Sequence, residues 1–123
     1  MAGGRQVIAI DDGIKELAMK ATNHKINQKN TIYRYYVPVS IIRAQSQVVA
    51  GTLYFLEVII QESDCTKNTR PLNAVSMEEC QVLSSGRKER CNFKVWQKPW
   101  ENFEQITLVG DTCQQFTGLD CFP

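Results

Sequence analysis

Five cysteines and one histidine are the residues of this chain whose types most often do covalent or metal chemistry. The cysteines stand at positions 65, 80, 91, 113 and 121, all in the second half, and His24 lies far from them in sequence. There is no C-x-x-C pair and no histidine near any cysteine, so the spacing that holds zinc is absent. A thiolate nucleophile needs a base beside it, and a single histidine placed mid-helix indicates no Cys–His pair. Nor is there a paired acid–base constellation, a phosphate loop or a metal cluster that would support an enzyme. What remains for the cysteines is a disulfide framework, made in an oxidising compartment, with one thiol left over by the odd count.

Three short segments carry a different kind of chemistry, that of recognition. Gly3-Gly4 lies at the start of the chain, Gln47-Val48-Val49-Ala50-Gly51 in its middle and Pro99-Trp100 near its end. Each has a plain structural reading: a linker scar for the glycines, strand residues for the valines, and a core aromatic in a turn for the tryptophan. Against the last two stands their position at predicted turns, where exposed apolar residues need a reason.

These segments must be positioned by the rest of the chain. Its 123 residues have room for one domain, read as spanning 1–123, with a modest core that staples would help. Composition is ordinary, 43% apolar and 22% charged, and a net charge of +1 gives no general pull toward nucleic acid or membrane. Arg87-Lys88-Glu89-Arg90 is a local charge run of the kind that solvates a loop. No hydrophobic run approaches the ~20 residues that span a bilayer. The start is polar at once, so the disulfide reading implies that a secretion signal has been removed and that Met1 is an added start residue.

Residues 1–5 carry two glycines and no pattern, which predicts a flexible arm. Gln6 to Ile10 suits a short strand. Asp11 or Asp12 offers an N-cap, and Ile14, Leu17, Ala18 and Ala21, with the stem of Lys25, follow at helical spacing. The result is an amphipathic helix of about four turns with Asn27 to Asn30 as its polar exit loop. From Tyr33 the period becomes two: Tyr33, Tyr35, Val37, Val39 and Ile41 share a face, and then Ile42 and Ala44 take over. That slip predicts a β-bulge between Pro38 and Ile42. Thr52 to Ile60 is the next strand, and the turn ending at Gly51 makes the two a long hairpin. Residues 63–90 read as a polar surface excursion. Phe93 and Val95 open a second hairpin that Pro99-Trp100 interrupts and Ile106 and Leu108 resume. The fold class is α+β, one helix on an antiparallel sheet.

A glycine near the N-terminus, Q-x-V-x-G at one hairpin tip and P-W at another, in this order after a first helix, resemble the cystatins. With four cysteines, Cys65, Cys80, Cys91 and Cys113, the chain is similar to the secreted type-2 branch, and the resemblance runs from Gly3 to Cys113. It implies one long N-terminal α-helix on a curved antiparallel sheet of about five strands. It implies the pairings Cys65–Cys80 and Cys91–Cys113, with Cys121 unpaired. It also implies a reversible, competitive inhibitor of papain-like cysteine proteases such as cathepsins, without cofactor. In such an inhibitor Gly3, Gly4, Gln47, Val48, Val49, Ala50, Gly51, Pro99 and Trp100 touch the protease. The expected alternative is a cystatin-fold interaction or structural protein without inhibition. Only Met1 and Ala2 precede the glycines where relatives often carry larger aliphatic residues, which weakens the arm's expected contribution. A subset of the family also inhibits legumain through an asparagine after the helix, and Asn30-Thr31-Ile32-Tyr33 is similar to that site, with Lys29 where relatives tend to carry serine. The plainer role of Asn30 is to end the helix. The expected state is a monomer, with dimers through a Cys121 bridge or strand exchange.

Overall fold

The computed structural model describes residues 4–116, so Met1, Ala2, Gly3 and Cys121 lie outside the described residues. Element order is β1 (Gln6–Val7), α1 (Asp12–Thr22), β2 (Arg34–Val49), β3 (Gly51–Thr66), β4 (Lys88–Lys98), β5 (Phe103–Leu108) and β6 (Gln114–Phe116). The sheet is antiparallel in the order β1-β2-β3-β4-β5, with short β6 pairing the start of β4. One helix on such a sheet is the architecture the sequence predicts.

Helix α1 starts where its cap allows. The Asp11 carboxylate accepts the Ile14 amide at 2.9 Å, which decides between the two candidate caps. Ile14, Leu17, Ala18 and Ala21 form the buried stripe, packed on Tyr36, Ala44, Leu56, Val58, Ile60, Phe93 and Val95 of the sheet. After Thr22 the chain widens into a π-helical turn, Asn23–Asn27, closed by the Gln28 amide on the Asn23 carbonyl at 2.9 Å. Asn27 therefore belongs to the helical column and is buried, whereas the sequence placed it in an exit loop. Its carboxamide donates to the Tyr36 carbonyl at 2.8 Å and accepts from the Tyr36 amide at 2.7 Å. The side chain thus pairs with β2 as a neighbouring strand would, and covers that stretch of sheet edge.

The predicted slip in β2 is present as register shifts between Pro38 and Ser40 and between Ile41 and Arg43, with a third between Arg34 and Tyr36. Its consequences differ from simple alternation. Tyr36 is fully buried in the main core, while Tyr33, Val39 and Ile42 are exposed. Tyr35 and Val37 instead join a second small core with Met19, Val75, Cys65 and Cys80. Both sides of this stretch of strand are covered, so neither side reads as polar. The second cover is part of the segment expected as a surface excursion at 63–90. Pairing takes its two ends, since β3 runs to Thr66 and β4 begins at Lys88. The stretch between is pinned by Cys65–Cys80, while Cys91–Cys113 ties the segment after β5 to β4. Each bridge restricts the unfolded chain, a contribution of about 3 kcal/mol for loops of 15 and 22 residues.

Replacing Asn27 by Ala leaves a buried amide and carbonyl of Tyr36 without partners. We expect a loss of about 2–4 kcal/mol in urea unfolding, against at most about 0.5 kcal/mol for exposed Gln28→Ala.

Candidate functional site

Two hairpin tips meet at one end of the sheet. In the β2–β3 hairpin Val49 pairs with Gly51 across Ala50, and in the β4–β5 hairpin Lys98 pairs with Phe103 across Pro99–Asn102. Strands β3 and β4 are neighbours in register, Thr52 opposite Gln97 and Leu53 opposite Trp96, so the tips emerge side by side.

Their closeness depends on Gly51. Its φ is +93°, a conformation that L side chains rarely adopt, and an added Cβ would stand 2.1 Å from the Gln97 carbonyl oxygen and 2.9 Å from Cγ of Lys98. Both conditions demand glycine. A second link crosses between the tips: the Trp96 indole donates to the Ala50 carbonyl at 2.8 Å. Trp96 also meets Phe103 edge-on with ring centroids 5.2 Å apart, and the Lys98 ammonium lies 4.6 Å and 4.5 Å from the two rings. Lys98 further pairs with Glu101 at 3.1 Å.

On this base the second tip is a single 3₁₀ turn, Pro99–Glu101. Proline suits the first position of a helical turn, where its missing N–H costs nothing. Asn102 closes the turn in the left-handed region at φ 50°, its amide on the Pro99 carbonyl at 3.2 Å. Trp100 is consequently held out of the core, 67% exposed, and Val48 on the other tip is equally exposed at 67%. Gln47, Val49 and Gly51 are half-buried, while Ala50 and Pro99 are exposed.

The N-terminal segment arrives at the same end. β1 pairs Gln6 with Ser46 and Val7 with Gln45, so the chain enters β1 from the side of the Val49–Gly51 tip. Arg5 lays its guanidinium 3.6 Å from the centroid of Phe55 and anchors the segment to the sheet. The structure thus brings Gln47–Gly51 and Pro99–Trp100 to one edge, and Gly4 precedes the strand β1 that pairs beside the first of them.

Cystatins carry these segments in this order. The cystatin domain pattern matches residues 6–100, from β1 to Trp100. The chain belongs to the cystatin family. It is 42% identical over 82 residues to cystatin cpi-1 of Caenorhabditis elegans, covering 66% of this chain and 59% of that protein. With onchocystatin of Onchocerca volvulus it shares 30% identity over 100 residues, 81% of this chain and 60% of the relative. The chain therefore spans about three fifths of the length of these nematode relatives. A snake cystatin, from Oxyuranus scutellatus scutellatus, is 30% identical over 114 residues, 90% of this chain and 79% of its own. Among solved structures, Al-CPI superposes with a TM-score of 0.75 at 36% identity, covering 93% of this chain and 100% of that one. Dimeric human cystatin F, at 24% identity and a TM-score of 0.77 over 95% of this chain and 90% of its own, shares the fold. Members of the family are protease inhibitors rather than enzymes.

Asn30 sits elsewhere in this cystatin, beyond the end of the hairpin where Arg34 pairs with Thr66. Lys67 donates to both its backbone carbonyl and its side-chain oxygen at 2.6 Å, and the Lys67 amide bonds the Tyr33 carbonyl at 3.0 Å. Burial holds the Lys67 ammonium below the usual lysine value.

Sequence reasoning missed Trp96, Lys98, Asn102 and Glu104, all of which shape the tips. Glu104 accepts from Gln97 at 2.7 Å and pairs with Lys20 of α1 at 2.5 Å, so it ties the helix to the strand under Gly51. Burial pushes its carboxyl up, but hydrogen bonds from Lys20 and Gln97, the Lys20 charge and His24 outweigh that and hold it below the usual carboxylate range. A glutamate in an alternating strand gives no sign of this in sequence, because its partners are distant in the chain.

Two outcomes follow. Gly51→Ala places a methyl against a carbonyl oxygen and should cost about 2–4 kcal/mol in urea unfolding. Glu104, ionised more readily folded than unfolded, stabilises above its unfolded pKa of about 4.3, and that contribution vanishes as pH falls through the lower folded value. The stability gap between wild type and Glu104→Gln, measured from pH 7 down to 2, should therefore close on the acid side.

Proposed function

We propose that this cystatin is a reversible, tight-binding, competitive inhibitor of papain-like cysteine proteases, cathepsins among them. The observation that carries the reading is the pair of adjacent tips whose Val48 and Trp100 are each 67% exposed while the residues beneath them are tied together. Exposed apolar side chains on a braced support are ready to bury in a groove with little ordering cost. Val48 and Ala50 lose little side-chain entropy on burial, and an indole makes the largest single anchor. Glycines at positions 3 and 4 have the free φ that lets the arm turn away from the reactive thiol, so that no peptide carbonyl is offered for attack. The chain is secreted and acts as a monomer in this reading; its two disulfides support an oxidising destination. Retention of Q-x-V-x-G and P-W favours inhibition over a purely structural role.

Asn30 is the contact for a second activity, against legumain. It lies at the opposite end of the β2–β3 hairpin from Val49–Gly51, so the two activities use separate surfaces.

Titration of papain should give stoichiometric loss of activity, and the absence of inhibition at micromolar concentration refutes the reading. Trp100→Ala should weaken inhibition about thirtyfold, the size of a typical hot-spot truncation of about 2 kcal/mol. Asn30→Ala should abolish legumain inhibition and leave papain inhibition intact.

A further inference from the structure

Among the described residues, the sheet has a face that α1 does not cover. On it, cross-strand pairs form two adjacent rungs: Arg43 beside Glu57 and Asn92, and Gln45 beside Phe55 and Lys94. Arg5 reaches over Phe55 from the arm. These residues line a shallow cleft of about 290 Å³. That is at the small end for a ligand site, suited to a unit or two of an extended chain passing across it.

The charge in the cleft is unbalanced. Glu57 is the one carboxylate among the described residues that line it, and it pairs with Arg90 at 3.6 Å. Arg5, Arg43 and Lys94 have no carboxylate partner among the described residues. Three cations converging on one open cleft concentrate a positive field although the whole chain carries only +1. The other lining groups narrow the ligand. Gln45 and Asn92 bring carboxamides, which donate and accept at once and so match hydroxyl groups. The Arg5 guanidinium, held over the Phe55 ring at 3.6 Å from its centroid, fixes the third cation at the wall of the cleft. An acidic peptide is a poorer fit, since β3 and β4 lie inside the sheet and offer it no free backbone edge for strand addition.

We propose that this cleft binds a sulfated polysaccharide, with Arg5, Arg43 and Lys94 on its sulfate groups and Gln45 and Asn92 on its hydroxyls. The surface lies on the exposed face of the sheet rather than at its tips, so a glycan-bound molecule keeps both hairpin tips free.

The test uses a heparin-derived octasaccharide, read by calorimetry with the full chain at physiological salt. Saturable binding is expected, weakening with added salt and falling at least about tenfold in Arg43→Gln/Lys94→Gln. Papain inhibition by that variant should be unchanged, which shows that it is folded. Lys25→Gln/Lys29→Gln, which removes the same charge from the far side, should bind as wild type does. The proposal is overturned if the octasaccharide does not bind, or if the two double variants lose affinity equally. It also falls if polyglutamate or a desulfated octasaccharide binds as well as the sulfated one.

Discussion

A carbonyl oxygen stands where a side chain at position 51 would begin. The Gln97 carbonyl is 2.1 Å from the place of a Cβ on Gly51, and this close approach of two backbones is the constraint on which the candidate site depends. It sets β3 against β4 up to their ends, so that Trp96 can reach the Ala50 carbonyl and the two tips share one support. Apolar side chains can stay exposed there because the backbone beneath them is braced on both sides. The turn at Asn102 and the aromatic pair of Trp96 and Phe103 serve the same end, holding Trp100 outward.

The remainder of the fold keeps that edge in place. Helix α1 buries a stripe against the middle of the sheet, and Lys20 continues the link through Glu104 to Gln97. The π-helical turn at its end aims Asn27 at Tyr36, where a carboxamide substitutes for a missing strand. Bulges in β2 let one strand contribute to two cores, Tyr36 to the main one and Tyr35 and Val37 to the second. The Cys65–Cys80 bridge lies in that second core and holds the long connection between β3 and β4 against it. A chain of this size buries a modest core, and covalent links compensate where apolar area is scarce.

The two candidate surfaces have different physics. The tip edge is apolar and braced, suited to a desolvated groove. The uncovered sheet face is cationic and open, suited to a solvated, charged partner. They sit on the same strands because side chains of a sheet alternate between faces while the strand ends belong to neither. Exposed apolar side chains at the ends leave the face available, and neither surface requires a change in the core.

Local rules carried much of this cystatin into its sequence. The helix from its cap and apolar stripe, the two hairpins from their alternation, the bulge from its slipped phase and the tips from Gly51 and Pro99 are all short-range signals. The motifs named the family for the same reason, since each is a contiguous run. What the sequence by itself could not decide was every feature whose partners lie far apart in the chain. Asn27 read as loop because its partner, Tyr36, is brought to it only by the packed helix. Tyr33 and Val39 read as sharing a face with Tyr35 and Val37, yet they are exposed, because alternation does not say which faces are covered. Trp96, Lys98 and Glu104 read as ordinary strand residues until β3, β4, β5 and α1 were set side by side. Periodicity is a property of one strand, whereas the brace under the tips and the cleft on the open face are properties of several, and only the tertiary structure decides which strands are neighbours.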